Sequence, residues 1–361
     1  MSRASHYGTS EFRDALTNKG VFIVLKIGIN GFGRIGRLVF RAAWARDDLE
    51  ICQVNDPGGD AQNAAYLLNF DSVQGTWSKR AETDGDALVI DGRRVAWTRG
   101  RDCAGAGWGK QIDVLLECSG KFKTLELLQP YLDAGVGHVI VSAPVADPEI
   151  PNVVVGVNDD AFDPARHRLV SGASCTTNCV APVLKVLHDT FGVVRGSLNT
   201  IHAVTPSQVV MDGFGKDARR GRAGFTSLIP TSTGAAKAIG RIFEDLNGHI
   251  SGLAVRVPLT CPSITDCTFE VQQPATREGV NAALAAAAAG ELAGILGYEE
   301  QELVSVDYVG DKRSSIVDAS STLVVDQHHV KVLSWYDNEM GYSSRLLDPV
   351  SYTHLTLPTM Q

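Results

Sequence analysis

The stretch Lys26-Ile27-Gly28-Ile29-Asn30-Gly31-Phe32-Gly33-Arg34-Ile35-Gly36 decides how the first half of the chain folds. Lys26 to Ile29 is a short strand-like run, and Leu38, Val39, Ala42 and Ala43 follow at helical spacing. A G-x-G-x-x-G between a strand and a helix is the context in which that motif cradles a dinucleotide. Gly31 permits the tight turn, Gly33 lets the backbone approach a pyrophosphate, and Gly36 lets helix and strand pack closely. A second strand, Leu49 to Val54, ends at Asn55-Asp56. Asp56 lies twenty positions past Gly36, where a carboxylate meets the adenosine ribose hydroxyls. Taken singly, Gly36, Gly58 and Gly59 read as turn residues. The complete set, with an acid at that distance, reads as a dinucleotide site.

From Lys26 to about Ser174 strand and helix patterns alternate. Candidate strands are Lys26–Ile29, Glu50–Val54, Val114–Cys118, His138–Ser142 and Val153–Val157. Such alternation predicts an α/β domain with a Rossmann-type, doubly wound parallel sheet. Ligands bind outside the carboxyl ends of such strands, where Ser119-Gly120 and Ser142-Ala143-Pro144 fall. Those residues either line the cofactor or punctuate strand ends. Longer amphipathic runs then appear at Ser197–Val204, Gly252–Val257, Ile264–Gln272 and His329–Trp335, and Asn281–Ala289 is alanine-rich and helical. They predict an α+β catalytic domain with a mixed, largely antiparallel sheet. The boundaries read as 26–174 for the dinucleotide-binding domain and 175–338 for the catalytic domain; the family resemblance set out below implies that 339–348 returns to the first.

Between the two lies Ser174-Cys175-Thr176-Thr177-Asn178-Cys179. Val180, Val183, Leu184, Leu187 and Phe191 continue it at helical spacing. Ser174 reads as an N-cap, which puts Cys175 on the first turn. The positive end of a helix favours an anion, so a thiolate is favoured there. Pro182, in the second turn, predicts a distortion. On the local pattern alone Cys175 is either a nucleophile or a buried structural cysteine.

The chain has 361 residues, with 33 basic and 41 acidic side chains and a net charge of -8. That length allows two domains with full cores. The acidic balance argues against nucleic acid as the main partner, although Lys216-Asp217-Ala218-Arg219-Arg220-Gly221-Arg222 is locally basic. Seven scattered cysteines without C-x-x-C pairs suit a reducing compartment. No run approaches a membrane span and residues 1–19 lack a signal-peptide pattern, so a cytoplasmic location is expected.

Five motifs, in order, resemble the phosphorylating glyceraldehyde-3-phosphate dehydrogenase family over about Lys26 to Asp348. They are Ile29-Asn30-Gly31-Phe32-Gly33-Arg34-Ile35-Gly36-Arg37, Ala173-Ser174-Cys175-Thr176-Thr177-Asn178-Cys179, Ile229-Pro230-Thr231-Ser232-Thr233-Gly234-Ala235-Ala236-Lys237-Ala238, Arg256-Val257-Pro258 and Ser334-Trp335-Tyr336-Asp337-Asn338-Glu339. The resemblance implies oxidation of a triose phosphate with NAD and inorganic phosphate, through a thioester on Cys175. His202 would be the general base. Thr205 and Arg256 would hold the substrate phosphate, and Ser174, Thr176, Thr233 and Gly234 the attacking phosphate. Arg34 and Ile35 map to the pyrophosphate turn with Gly31, Gly33 and Gly36. Asp56 maps to the adenosine ribose, Arg101 and Ser119 to flanking contacts, and Asn338 to the nicotinamide carboxamide. Read alone, Thr231-Ser232-Thr233-Gly234 is a polar cap. The resemblance further implies a homotetramer in which the 216–222 loop lines a neighbour's site. A Cys175/Cys179/His202 metal site would lack a fourth ligand and would quench the nucleophile, so no metal is expected.

Residues 1–25 read as an extension ahead of the family pattern. Residues 349–361, with two prolines and no helical period, read as an atypical tail. The departures around Asn55–Asp60 and Met211–Gly215 leave open two alternatives, an erythrose-4-phosphate dehydrogenase and an arsenate-using resistance variant; a third, a non-catalytic scaffold, is one against which intact Cys175, His202 and Arg256 argue. NAD is the expected cofactor, with NADP secondary. Asp56 would repel a 2′-phosphate, but Gly58 and Gly59 leave its turn free to move, and Arg219, Arg220 or Arg222 would partly offset the added charge.

Overall fold

A computed structural model describes residues 24–352. Two sheets organise it. The first contains β1 (Leu25–Asn30), β2 (Leu49–Asn55), β3 (Ala81–Thr83), β4 (Ala87–Ile90), β5 (Arg93–Thr98), β6 (Val114–Glu117), β7 (His138–Val141) and β8 (Leu169–Ser171). Their order is β3-β4-β5-β2-β1-β6-β7-β8. From β5 to β8 all neighbours are parallel. The chain runs outward from β1 to one side and later returns to β6 on the other. A doubly wound sheet opens its ligand crevice at such a reversal.

Helices α1 (Arg34–Trp44), α2 (Ala61–Asn69), α3 (Cys103–Ala106) and α4 (Leu125–Asp133) belong to the connections of this sheet. Its strands read as apolar runs because helices cover them: Leu25, Ile27 and Ile29 are fully buried.

The sheet is parallel from β5 to β8, as expected, and β3, β4 and β5 add an antiparallel meander at one edge. One expectation is corrected: Val153–Val157 is not a strand. Its amides fold back locally, with Val157 N donating to Val154 O, and Gly156 sits at φ +82. A β-carbon on Gly156 would meet Ile295 at 2.6 Å, so this apolar run is a turn wedged against another segment. The edge position goes to β8.

The second sheet contains β9 (Val193–His202), β10 (Ile229–Ser232), β11 (Ile250–Arg256), β12 (Ser263–Val271), β13 (Leu296–Glu299), β14 (Ser315–Asp318), β15 (Leu323–Val325) and β16 (His329–Tyr336). It is mixed and largely antiparallel, with β9/β11 and β13/β14 the parallel pairs. Helix α5 (Cys175–Phe191) is buried on most of its circumference in the core of this second half. It runs continuously through Pro182 and stops at Gly192, which is left-handed. Around it lie α6 (Ala235–Ile242) and α7 (Arg277–Ala289).

After β16 the chain packs back on the first sheet. Helix α8 (Met340–Arg345) contributes Tyr342, and the residues after it contribute Leu346 and Leu347, to the core that also holds Ile27 and Val39. Helix α9 (Asp348–Tyr352) follows. This corrects the reading of the tail. Residues 349–352 are helical, Pro349 stands at a helix start where its missing N–H costs nothing, and Val350 is fully buried in the same core. Residues 1–23 and 353–361, including most of both proposed terminal segments, lie outside the described residues.

Candidate active site

The dinucleotide turn lies where β1 hands over to α1. Gly31 has φ +90, and a β-carbon there would meet Ser119 N at 2.4 Å. Only glycine lets this turn lie against the end of β6. A β-carbon on Gly36 would meet Gly31 O at 2.0 Å, so helix and turn are in backbone contact. A β-carbon on Gly33 would meet nothing within 4 Å. Gly33 is the N-cap of α1, and no side chain caps that helix. Its first-turn amides, at Arg34 and Ile35, are therefore left for an anion facing open space.

Asp56 stands at the end of β2. Its Oδ2 accepts from Phe32 N at 2.7 Å and its Oδ1 from Gly58 N at 2.7 Å. A cavity of about 430 Å³, lined in part by Gly33, Asp56, Gly58, Asn63 and Trp97, opens beside it. The amide-bearing turn and the adjoining carboxylate cavity fit a pyrophosphate joined to a ribose.

Beneath this crevice lies a buried polar network that sequence reasoning missed. Asn30 Nδ2 donates to Glu117 Oε2 at 2.6 Å and to Tyr131 Oη at 3.0 Å, and Tyr131 Oη donates to the same carboxylate. Asn55 Nδ2 donates to Asn30 Oδ1 and to Gly100 O. Burial pushes the Glu117 carboxyl up, against four hydrogen bonds that favour its charged form. Ser119 is tied to it through both its amide and its hydroxyl. The available signal was polar side chains at the ends of otherwise apolar strands. Arg101 is exposed in the loop before α3, next to Gly100.

The side chain of Arg34 does not face the pyrophosphate turn as an open cation. It forms a two-pronged pair with Glu339, at 2.8 and 2.5 Å, and a second pair with Asp71. Burial would lower its pKa, but these carboxylates outweigh that and raise it. Any contact of Arg34 with a pyrophosphate falls to its backbone. Asn338, the residue before Glu339, is buried, and its Oδ1 accepts from Ser263 Oγ at 2.9 Å. Ser263 Oγ also accepts from Ala203 N at 3.0 Å, so it links Asn338 to the neighbour of His202.

Cys175 occupies the first turn of α5. Ser174 caps that helix, with its Oγ accepting from Thr177 N at 3.1 Å. Ala173, just before the cap, is held at φ +56, an unusual conformation for a residue with a β-carbon. Tyr342 Oη fixes it by donating to Ala173 O at 2.9 Å. Cys175 Sγ lies 3.6 Å from Nε2 of His202, the last residue of β9. The rings of Tyr336 and His202 meet in a T-shaped arrangement, with centroids 6.0 Å apart. Tyr336 Oη joins Thr176 Oγ1 at 3.0 Å and Thr200 Oγ1 at 2.8 Å. The Thr176 hydroxyl is thus turned into the protein, and the Ser174 hydroxyl is engaged as a cap.

Arg256 ends β11 in register with His202 across the parallel pair, so the two side chains share a face. Arg256 Nη1 donates to His202 Nδ1 at 2.5 Å, and its Nε is buried without a partner among the described residues. Thr205 lies three residues past His202, its Oγ1 paired with Ser207 Oγ at 2.9 Å. Thr233 Oγ1 accepts from Ala235 N at 3.2 Å, and Gly234 opens α6 without a side-chain cap. That helix start is a second place where amides are left for an anion.

Two influences oppose each other at Cys175. Burial pushes its thiol up, although Arg256 and hydrogen bonds at Thr176 pull the other way. Burial, and then the Arg256 charge, push His202 down to about 3. Cys179, one turn on, is fully buried and bonded to Thr265 and Ser315, and burial pushes it up to about 11. It is a packed, inert thiol. In the basic loop, Arg220 pairs with Asp217 and Arg222 with Asp212, so those two charges are neutralised locally.

Comparison with known proteins bears on this arrangement. Residues 25–125 match the family described as glyceraldehyde 3-phosphate dehydrogenase, NAD binding domain, and residues 174–338 match its C-terminal domain. The chain is 49% identical over 335 residues to glyceraldehyde-3-phosphate dehydrogenase 3 of Nostoc sp., covering 92% of this chain and 99% of the relative. It is 47% identical over 331 residues to glyceraldehyde-3-phosphate dehydrogenase of Geobacillus stearothermophilus, covering 91% and 98%. A chloroplastic relative from Arabidopsis thaliana is 46% identical over 333 residues, covering 91% of this chain and 78% of its own length.

Proposed function

The chain belongs to the glyceraldehyde-3-phosphate dehydrogenase family, and from that premise we propose that it oxidises D-glyceraldehyde 3-phosphate with NAD and inorganic phosphate to 1,3-bisphosphoglycerate. The observation that carries this reading is the meeting of Cys175 Sγ and His202 Nε2 at 3.6 Å on a helix start, beside a cation whose Nε lacks a partner among the described residues.

NAD, when bound, supplies the hydride acceptor; the amides of Arg34 and Ile35, Asp56, Ser119 and Asn338 would hold it. Arg101 is carried as a flanking contact. Asp56 would take the ribose hydroxyls, and Asn338 would offer its amide nitrogen, because its oxygen is committed to Ser263.

Cys175 Sγ adds to the aldehyde carbon, and its own proton passes to His202 Nε2. The imidazolium gives that proton to the carbonyl oxygen, forming the thiohemiacetal hydroxyl, and the ring, neutral again, accepts the hydroxyl proton as the carbon rises to the acyl level. The product on the enzyme is a thioester, which keeps the oxidation energy that hydrolysis would waste. Inorganic phosphate attacks the acyl carbon, the C–S bond breaks, and Cys175 is regenerated. Arg256 and Thr205 would bind the substrate phosphate; the Arg256 fork suits an anion. The starts of α5 and α6, with Ser174, Thr176, Thr233 and Gly234, would receive the attacking phosphate. For Ser174 and Thr176 the main chain is the available contact, since both hydroxyls are engaged.

The domain division 26–174 and 175–338, with 339–348 returning, is supported by one sheet in each part and by Tyr342 in the first core. A homotetramer is supported by the exposed Val210, Met211, Phe214 and Leu228 in one long loop. A cytoplasmic location is supported by seven free cysteines. No helix among the described residues is long and apolar enough to cross a membrane.

The test is a pre-steady-state assay with glyceraldehyde 3-phosphate and erythrose 4-phosphate, each with phosphate or arsenate. The reading expects a burst of NADH stoichiometric with Cys175 and fastest with the triose. A faster tetrose reaction would move the assignment to the tetrose substrate, and no turnover at all would leave only a scaffold.

A further inference from the structure

Phe32 is the apex of the turn between β1 and α1, and three separate contacts hold it. Its ring is buried and meets Phe40 and Trp97 in T-shaped arrangements, with centroids 5.8 and 5.3 Å apart. Its amide donates to Asp56 Oδ2 at 2.7 Å. Its carbonyl oxygen accepts from Arg37 Nη1 at 2.8 Å. A guanidinium and an amide N–H only donate, and a carbonyl only accepts, so the direction of each bond is fixed. The peptide groups on both sides of the Phe32 Cα are therefore held from outside the turn. The carboxylate at the end of β2 holds one, and a side chain of α1 holds the other.

The bond from Arg37 sets a direction. In a trans peptide the C=O and the N–H point opposite ways. Holding Phe32 O on Arg37 therefore turns the Gly33 N–H away from Arg37. Gly33 is exposed, a β-carbon on it would meet nothing within 4 Å, and its N–H has no partner among the described residues. That N–H joins the uncapped amides of Arg34 and Ile35 at the start of α1. Arg37 itself is half-buried. Unlike Arg34, it forms no ion pair among the described residues, and it spends Nη1 on this main-chain oxygen.

We propose that Arg37 is a positioning residue for the cofactor's pyrophosphate: with Asp56 it clamps Phe32, and the clamp aims the amides of Gly33, Arg34 and Ile35 at the two phosphates. The proposal rests on the reading of the 31–36 turn as the pyrophosphate site. A turn with glycine on both sides of its apex has many conformations open to it, and most of them scatter those amides. The clamp removes that freedom before the cofactor arrives, so binding does not bear the cost of ordering the turn. Asp56 thereby has a second task besides the ribose hydroxyls. Ribose recognition and the shape of the pyrophosphate turn share one carboxylate.

The clamp is tested on the full-length protein by calorimetric titration with NAD, ADP and adenosine, of which only the first two carry the pyrophosphate. Arg37→Met keeps most of the side chain and removes the donor, whereas Arg37→Lys keeps a donor. Arg37→Met should weaken NAD and ADP about tenfold and adenosine by less than about twofold, and Arg37→Lys should recover most of the loss. Asp56→Ala then enters a double-mutant cycle with Arg37→Met, read on ADP. Two latches on one residue should give a double variant whose loss is smaller than the product of the single losses. An equal loss for adenosine would reduce Arg37 to a packing residue, and a loss equal to that product would make it an independent phosphate contact. Either result overturns the clamp. The underlying reading is checked by the wild type alone. A wild type that binds ADP no better than adenosine removes the pyrophosphate site from this turn, and the clamp with it, whereas one that prefers ADP while Arg37→Met binds ADP equally well keeps the site and loses the clamp.

Discussion

Arg34, in the first turn of the dinucleotide helix, is clamped by Glu339, which lies 305 residues further along the chain. Both side chains are shielded, at 22% and 11% exposure, and Asp71 completes the group. The pair ties the turn after β1 to the residue that follows Asn338. Two contacts assigned to opposite ends of one cofactor are therefore mechanically joined.

Glu339→Ala should loosen that tie. Losing the carboxylate leaves a shielded guanidinium with one partner instead of two, at a cost of about 1–3 kcal/mol. NAD affinity should fall as well, because Asn338 loses its neighbouring anchor. Thermal unfolding and a cofactor titration measure the two effects. Unchanged affinity would show that Asn338 is positioned by Ser263 alone.

Cys175→Ser should abolish oxidation while NAD binding stays near wild type. A hydroxyl ionises far less readily than a thiol, and its ester conserves less energy. Single-turnover absorbance of NADH, with cofactor binding measured in parallel, is the check. More than a trace of dehydrogenase activity would sink the thioester route.

His202 makes stability fall in acid. Its folded pKa is depressed to about 3, so below the ordinary value near 6.5 the unfolded chain takes up a proton that the folded chain refuses. Stability contributed by the neutral ring is present above about 6.5 and is lost as pH falls toward 3, at up to about 1.4 kcal/mol per pH unit. Denaturant unfolding at stepped pH should give His202→Asn a shallower loss across that window. Parallel slopes for the two proteins would place the acid sensitivity elsewhere.

Arg256→Leu should penalise the phosphorylated aldehyde selectively. Losing a charge-assisted contact costs about 1.5–3 kcal/mol. The kcat/KM for glyceraldehyde 3-phosphate should drop more than tenfold, and that for glyceraldehyde should not. An unchanged ratio of the two would put the substrate phosphate somewhere other than Arg256.

Asp56→Gly should move cofactor choice toward NADP. The carboxylate stands on the cavity beside the turn, and a 2′-phosphate there would meet like charge. Arg220 and Arg222 offer little offset while their own loop's aspartates hold them. Asp56 also accepts two backbone amides, so the variant should lose about 1–2 kcal/mol of stability. Comparing kcat/KM for both cofactors in both proteins decides the matter, and a wild type that already prefers NADP would refute the role of Asp56.

By itself the sequence determined the family, the parallel character of the first sheet around β1 and the mixed character of the second. Those follow from local signals: glycine spacing, helical or alternating periodicity, and capping residues such as Ser174. Val153–Val157 shows the limit. Its apolar pattern suits a strand, but Gly156 must approach Ile295, and that contact exists only in three dimensions. Likewise Val350 is buried by a core 300 residues away in sequence from much of its lining, not by any period of its own. The burial that acts on Cys175 and His202 is invisible in the sequence for the same reason. A helix start and the register-paired Arg256 favour a thiolate at Cys175, whereas enclosure by packed neighbours opposes charge on both groups and Arg256 adds to that only at His202. Burial and register are products of the whole fold. Only the tertiary structure could set them, and with them the neighbours of His202 and the partners of Arg34.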